Sequence, residues 1–132
     1  MRHPKLQEFL DTLKKLLDEV DDHLEERYGG RYPLHPARPR RGETYNKAAS
    51  GLFSVGANFS PGFGSSVGRG YVLEFDIATL HEVPDDVEEE IDEAAAEKVR
   101  ELLPRYFPDR RLDVSRDGRV FKLHGDLTLG SA

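Results

Sequence analysis

Two helical repeats of hydrophobic positions alternate along this chain with two extended ones. In the first, Leu6, Phe9, Leu10, Leu13, Leu16, Leu17, Val20 and Leu24 recur three and four residues apart, the spacing that gathers side chains into one stripe of a helix. Pro4 suits the first helical position, where its missing N–H costs nothing, and Gly29-Gly30 supplies a stop. The pattern predicts a helix over 4–28. No period survives over 30–50, where Pro33, Pro36 and Pro39 recur every third residue, the repeat of a polyproline II turn. An extended, Pro/Arg-rich connection is expected there. Pro36, Pro39 and Arg41 also fit the P-x-x-P-x-R pattern read by aromatic-grooved peptide-binding domains, though a stiff loop is the plainer reading.

Residues 52–60 and 71–80 change to period two. Phe53, Val55, Ala57 and Phe59 share one face of the first predicted strand, and Tyr71, Leu73, Phe75 and Ile77 one face of the second. The opposite faces are polar or small. A second helical stripe follows, made by Val87, Ile91, Ala94, Ala95, Val99, Leu102, Leu103 and Tyr106. It opens at Pro84 with acids in its first turns, which favour the positive end of the helix dipole, and Pro104 and Pro108 limit it, so 84–104 is expected. The last unit, over 111–129, reads as a hairpin with Asp117-Gly118 as a two-residue turn. That register sets Arg116 opposite Arg119, Val114 opposite Phe121, Asp113 opposite Lys122 and Leu112 opposite Leu123.

The sum of these elements is an α+β fold. It is a two-layer sandwich in the order α-β-β-α-β-β, whose four-stranded, mainly antiparallel sheet carries two amphipathic helices on one face. With 132 residues and a mass of 14.9 kDa the chain suits one domain, 1–132, and is too short for a kinase or a two-lobed dehydrogenase. Without cysteine there are no disulfides, thiolate metal sites or Cys nucleophiles. No apolar run approaches a membrane span and no signal-peptide pattern opens the chain, so a soluble cytoplasmic protein is expected.

The net charge of −6 is divided into blocks. Residues 5–26 carry three bases against eight acids and 82–101 two against ten, whereas 27–47 carry six against one and 105–122 six against three. An acidic protein repels nucleic acid at long range, yet a basic surface still docks an anion. Arg38, Arg40, Arg41 and Lys47 beside Tyr45 have the charge and the ring of a single-strand nucleic-acid contact. Interaction with the acidic helices of the same or a neighbouring molecule is the competing reading.

Two regions are candidate sites. In 61–70 the glycines read G-x-G-x-x-x-G-x-G, too long for a dinucleotide fingerprint, followed by a strand instead of a helix, and lacking the Gly-Lys-Ser/Thr of a P-loop. What remains is a flap whose bare amides, with Ser65, Ser66 and Arg69, suit an anion; the plainer reading is a long hairpin loop with positive-φ turns. The polar sheet face is the second. If both hairpins share one sheet, Asn58, Glu74, Asp76, Lys122, His124 and Asp126 emerge on the side away from the helices. Glu74, Asp76, His124 and Asp126 are suitable ligands for a divalent cation, and a His beside carboxylates suits acid–base work, while any half-wet sheet puts polar residues there. His3, His23, His35, His81 and His124 show no i, i+4 pairing and no H-E-x-x-H motif.

No nucleophile–base pair is recognisable, which favours binding over catalysis. The leading expectation is a small binding module for an anionic ligand, nucleic acid or protein partner, acting through flap and sheet face. An acidic partner-binding protein of the secretion-chaperone kind, matched in size and charge but by no motif, is a second. A small enzyme using Glu74, Asp76, His124 and Asp126, with or without a metal, is a third. A homodimer through an open sheet edge is compatible with each. No cofactor is indicated.

Overall fold

A computed structural model describes residues 4–41, 43, 46, 49–62 and 67–127. Its elements are α1 (Pro4–Tyr28), β1 (Phe53–Ser60), β2 (Gly70–Ile77), α2 (Asp85–Tyr106), β3 (Leu112–Asp117) and β4 (Val120–Gly125). The strands form one sheet in the order β1-β2-β4-β3, every neighbouring pair antiparallel. This is the expected α+β arrangement, and it makes β2 and β4 central neighbours.

The stripes account for the layers. Phe9, Leu13, Leu16, Leu17, Val20, Leu24 and Tyr28 of α1 and Ile91, Ala95, Ala96, Val99, Leu102 and Leu103 of α2 are buried against Phe53, Val55, Tyr71, Leu73, Val114 and Leu123 of the sheet. Because strand side chains alternate, these six strand residues define the helix-covered face, and the other parity is helix-free. An aromatic row runs through the layer: Phe107 lies 5.0 Å from Phe9, Phe9 5.6 Å from Tyr71, and Tyr71 5.6 Å from Phe59 between ring centroids. Offset and tilted rings of this spacing pack favourably beyond their area.

Three expectations are corrected. The helix α2 runs two residues beyond Pro104, because a proline in a last turn removes one N–H while the buried Leu102, Leu103 and Phe107 still hold that turn on the core. The Phe107 N–H closes it on the Leu103 carbonyl at 2.8 Å. The β3–β4 turn is Gly118-Arg119, with Asp117 paired to Val120, so Arg116 faces Phe121, Val114 faces Leu123, Asp113 faces His124 and Leu112 faces Gly125. Gly118 carries a φ of 67° and no described non-glycine residue has a positive φ; an Asp117-Gly118 turn of the twisted hairpin type would force Asp117 there. The shift is by two residues, so every side chain keeps its face while its partner changes. Finally, the Pro/Arg-rich segment is no continuous extended helix. It bends through turns closed by Arg38 N–H to His35 O at 2.9 Å and Glu43 N–H to Arg40 O at 3.1 Å.

Candidate functional site beneath the glycine-rich flap

On the helix-free face one row of side chains crosses all four strands. Asn58 pairs with Val72, Val72 with Lys122, and Lys122 with Ser115. A lysine on an open sheet face ordinarily extends into water, yet Lys122 is only 2% exposed. The end of the glycine-rich loop lies over it. The Lys122 Nζ donates to the Gly68 carbonyl at 2.9 Å and stands 3.2 Å from Asp117 Oδ2. Its methylene stem passes over Gly70, where a Cβ would collide with the Leu123 carbonyl oxygen and press on the lysine chain. Gly62, at φ 93°, meets the backbone of Gly68 and Arg69 so closely that a side chain there would overlap them. The two glycines are therefore needed by close approach, and the loop is drawn to a narrow neck.

Around Lys122 the polar residues form short pairs. Asn58 Nδ2 donates to Glu74 Oε1 at 2.8 Å, and Ser115 Oγ lies 2.7 Å from His124 Nε2. This hydroxyl–imidazole pair is the arrangement from which nucleophiles are built, but a third group must orient the ring. Asp113, opposite His124, turns its carboxylate elsewhere. It accepts the Val114 N–H at 2.7 Å and an Arg100 N–H at 3.4 Å. Among the described residues, then, the pair stands as a hydrogen-bonding surface and not as a triad.

Of the residues singled out from sequence, Asn58, Glu74, Lys122 and His124 share the helix-free face within neighbouring rows. Arg69 sits at the flap neck, exposed. Asp76 is on the same face at the far end of β2, where it lines a separate recess with Thr79, His81 and Glu88. Asp126 lies past the end of β4, exposed, its N–H bonded to the Arg111 carbonyl at 2.9 Å, so it does not join the others. Ser65 and Ser66 fall outside the described residues. The expected Asp113–Lys122 pairing is replaced by Asp117–Lys122, a consequence of the turn register. Sequence reading missed Ser115 and Asp117; the positive-φ demand on Gly118 was the signal that placed both beside Lys122. No three His, Asp or Glu side chains among the described residues stand together as a metal would require, so the divalent-cation set Glu74, Asp76, His124 and Asp126 is not assembled.

The basic segment is engaged elsewhere. Arg38 donates from Nε to the Gly51 carbonyl at 3.0 Å and from Nη2 to the Phe53 carbonyl at 3.0 Å. Arg41 pairs with Asp22 at 2.6 Å and with Asp21 at 3.0 Å, and Glu25 Oε1 accepts the Phe53 N–H at 3.0 Å. Asp21 is 1% exposed. Burial pushes its carboxyl up to about 7, with Glu25 and Asp22 adding to the rise and the Arg41 guanidinium opposing it. Arg41 is thus spent within the molecule, which removes it from a P-x-x-P-x-R ligand and from a nucleic-acid contact; Tyr45 and Lys47 lie outside the described residues. No helix among the described residues is long and apolar enough to cross a membrane.

Comparison with known proteins agrees with this extent of structure. A family model described as an uncharacterised protein matches residues 4–125, from the start of α1 to the end of β4. A protein of Borreliella burgdorferi, itself described as an uncharacterized protein, is 40% identical over 125 residues, covering 95% of this chain and 98% of that one. No solved structure matches significantly.

Proposed function

For a chain that belongs to this family of uncharacterised proteins, we propose a binding function directed at a small anionic ligand, seated on the helix-free face under the flap. The observation that carries the reading is Lys122, a buried ammonium on the one sheet face no helix covers, roofed by the carbonyl of a glycine in the flap. Burying a charge is costly unless it is paired. Asp117 offsets part of that cost from a half-buried position, and an anion entering beneath a raised flap would offset it further. Ser115, His124 and Asn58 add donors in the same and adjoining rows, and Arg69 adds a second positive charge at the neck. The bare amides of the glycine-rich stretch suit the same chemistry.

A small anion is favoured over nucleic acid by where the rings point. Single-strand recognition stacks bases on aromatic side chains, and Phe53, Tyr71 and Phe75 all belong to the helix-covered parity of the sheet. Among the described residues the helix-free face carries no Phe, Tyr or Trp, and its one ring, His124, is held by Ser115.

The test is calorimetry and thermal unfolding with orthophosphate and with pyrophosphate, at low and high salt. Binding raises the melting temperature with the logarithm of ligand concentration above Kd, weakens with salt, and falls about tenfold in Arg69→Ala and more in Lys122→Met, since each lost charge-assisted bond is worth roughly 1.5–3 kcal/mol. If neither anion stabilises the protein at millimolar concentration, the reading is wrong.

A further inference from the structure

The sheet has two edges, and they are not guarded alike. Edge strands of soluble proteins carry charges or prolines that discourage pairing with another chain. The strand β3 obeys this, with Asp113, Arg116 and Asp117 among six residues. The strand β1, Phe-Ser-Val-Gly-Ala-Asn-Phe-Ser, has no charge in eight.

The ladder shows which backbone groups of β1 face outward. The Ala78 N–H donates to the Leu52 carbonyl at 2.7 Å, which continues the register and makes the even-numbered residues of β1 the ones bonded to β2. The odd-numbered residues turn N–H and C=O away. Phe53 has both groups occupied, its N–H by Glu25 and its carbonyl by Arg38. Val55 is buried. Pro61, beyond the strand, has no N–H to give. Between these stops Ala57 and Phe59 present N–H and C=O groups that meet no hydrogen-bond partner among the described residues. Phe59 is 58% exposed, held edge-on against Tyr71 at the outer end of the aromatic row.

We propose that the chain dimerises by antiparallel pairing of β1 with β1 of a second copy, about a two-fold axis at Asn58. Ala57 of each copy then faces Phe59 of the other, and the four outward groups on each side are satisfied reciprocally by four N–H···O=C bonds. The exposed ring covers the small side chain opposite it, and Asn58 meets Asn58 on the helix-free face. Other two-fold registers fail on the same observations. A slip one way sets Phe59 against the buried Val55, and a slip the other way sets Ala57 against Pro61. A two-fold antiparallel pairing keeps both helix layers on one side, so the product is a continuous eight-stranded sheet. A second copy is the fitting occupant because the open stretch is short, uncharged and complementary to itself.

Sedimentation velocity over 1–200 µM tests this, with a concentration-dependent dimer as the expected result. Ala57→Pro deletes only an outward N–H, which an edge strand tolerates, and Phe59→Lys guards the edge; each is expected to weaken dimerisation at least tenfold while leaving the circular dichroism spectrum unchanged. Arg116→Ala, on the other edge, is expected to leave it intact. Because the chain has no cysteine, Asn58→Cys reports the register directly: facing residues of a two-fold pair lie within disulfide reach, so it is expected to cross-link under mild oxidation, while Gly56→Cys is not. A wild-type monomer at every concentration, a dimer unaffected by Phe59→Lys, or cross-linking at Gly56 in preference to Asn58 would each overturn the proposal.

Discussion

Arg41 and Lys122 both bring a long loop down onto the sandwich, and they do it with different strength. Arg41 acts with Arg38 against three backbone carbonyls, at Ser50, Gly51 and Phe53, and against the acids of a rigid helix. Every bond is charge-assisted, and the bonds are spread over fifteen residues of the segment they secure. Lys122 reaches the flap at the Gly68 carbonyl, and its ion-pair partner Asp117 belongs to the sheet itself. Lifting the end of the flap off Lys122 leaves the lysine beside Asp117, whereas lifting Arg41 leaves Asp21 buried without its cation. Under the proposed function, that difference separates scaffold from gate. A loop that must release a ligand cannot be stitched like one that closes the end of a hairpin.

The largest expected effect breaks the stronger clasp. Arg41→Ala leaves Asp21 buried beside Glu25 without its cation, and should lower the unfolding free energy by about 3 kcal/mol, the low end for an orphaned buried charge because Arg41 is itself partly exposed. Urea titration at pH 7.5 measures it. A loss below about 1 kcal/mol would mean that the clasp is no stronger than a surface pair.

Next comes the pH dependence of the same clasp. The Asp21 carboxyl titrates at about 7 in the folded protein against 3.8 in the free residue, so between those values the folded state holds a proton that the unfolded chain has lost. Stability must then fall as pH rises through that interval. Asp92, pushed up to about 6 by burial and by Glu88 and Glu89, contributes in the same direction over its lower part. Asp21→Asn is expected to flatten the slope and to be the more stable protein at pH 8, by on the order of 1–3 kcal/mol. Parallel melting curves of the two proteins from pH 4 to 8 would count against the assignment.

The smallest effect on stability sharpens the comparison most. Lys122→Met retains the stem over Gly70 and removes both the bond to Gly68 and the pair with Asp117, so global stability should change by about 1–2 kcal/mol, near the net worth of one hydrogen bond and one partly exposed ion pair. Amide exchange at 67–69 should nonetheless accelerate about tenfold, with 38–53 unaffected. Equal acceleration in both segments would show that they open together and that no gate exists.

Much of this architecture is legible in the order of residues. The stripe from Leu6 to Leu24 sets α1 at 4–28, and period two assigns Phe53, Val55, Tyr71 and Leu73 to the covered face, because apolar area must leave water wherever the chain later goes. The β3–β4 register is less legible. A pattern of period two cannot tell a partner from its neighbour two residues away, and only the backbone demand at Gly118 decides between them. Asp21 defeats the pattern altogether: an acid inside a hydrophobic stripe reads as a breach of it, until a guanidinium from twenty residues further along is found against it.

The chain by itself determined which residues are inside, where helices and strands run, and that one face of the sheet stays polar. These follow from hydrophobic periodicity and local backbone preference, which act over a few residues. The tertiary structure alone decided that β2 lies beside β4, that Lys122 is roofed by the flap and paired with Asp117, that Ser115 meets His124, and that Arg38 is spent on the carbonyls of Ser50, Gly51 and Phe53 and Arg41 on the acids of α1. Each of those contacts joins groups far apart along the chain or on different strands, and its strength depends on distance and desolvation that no sequence interval encodes.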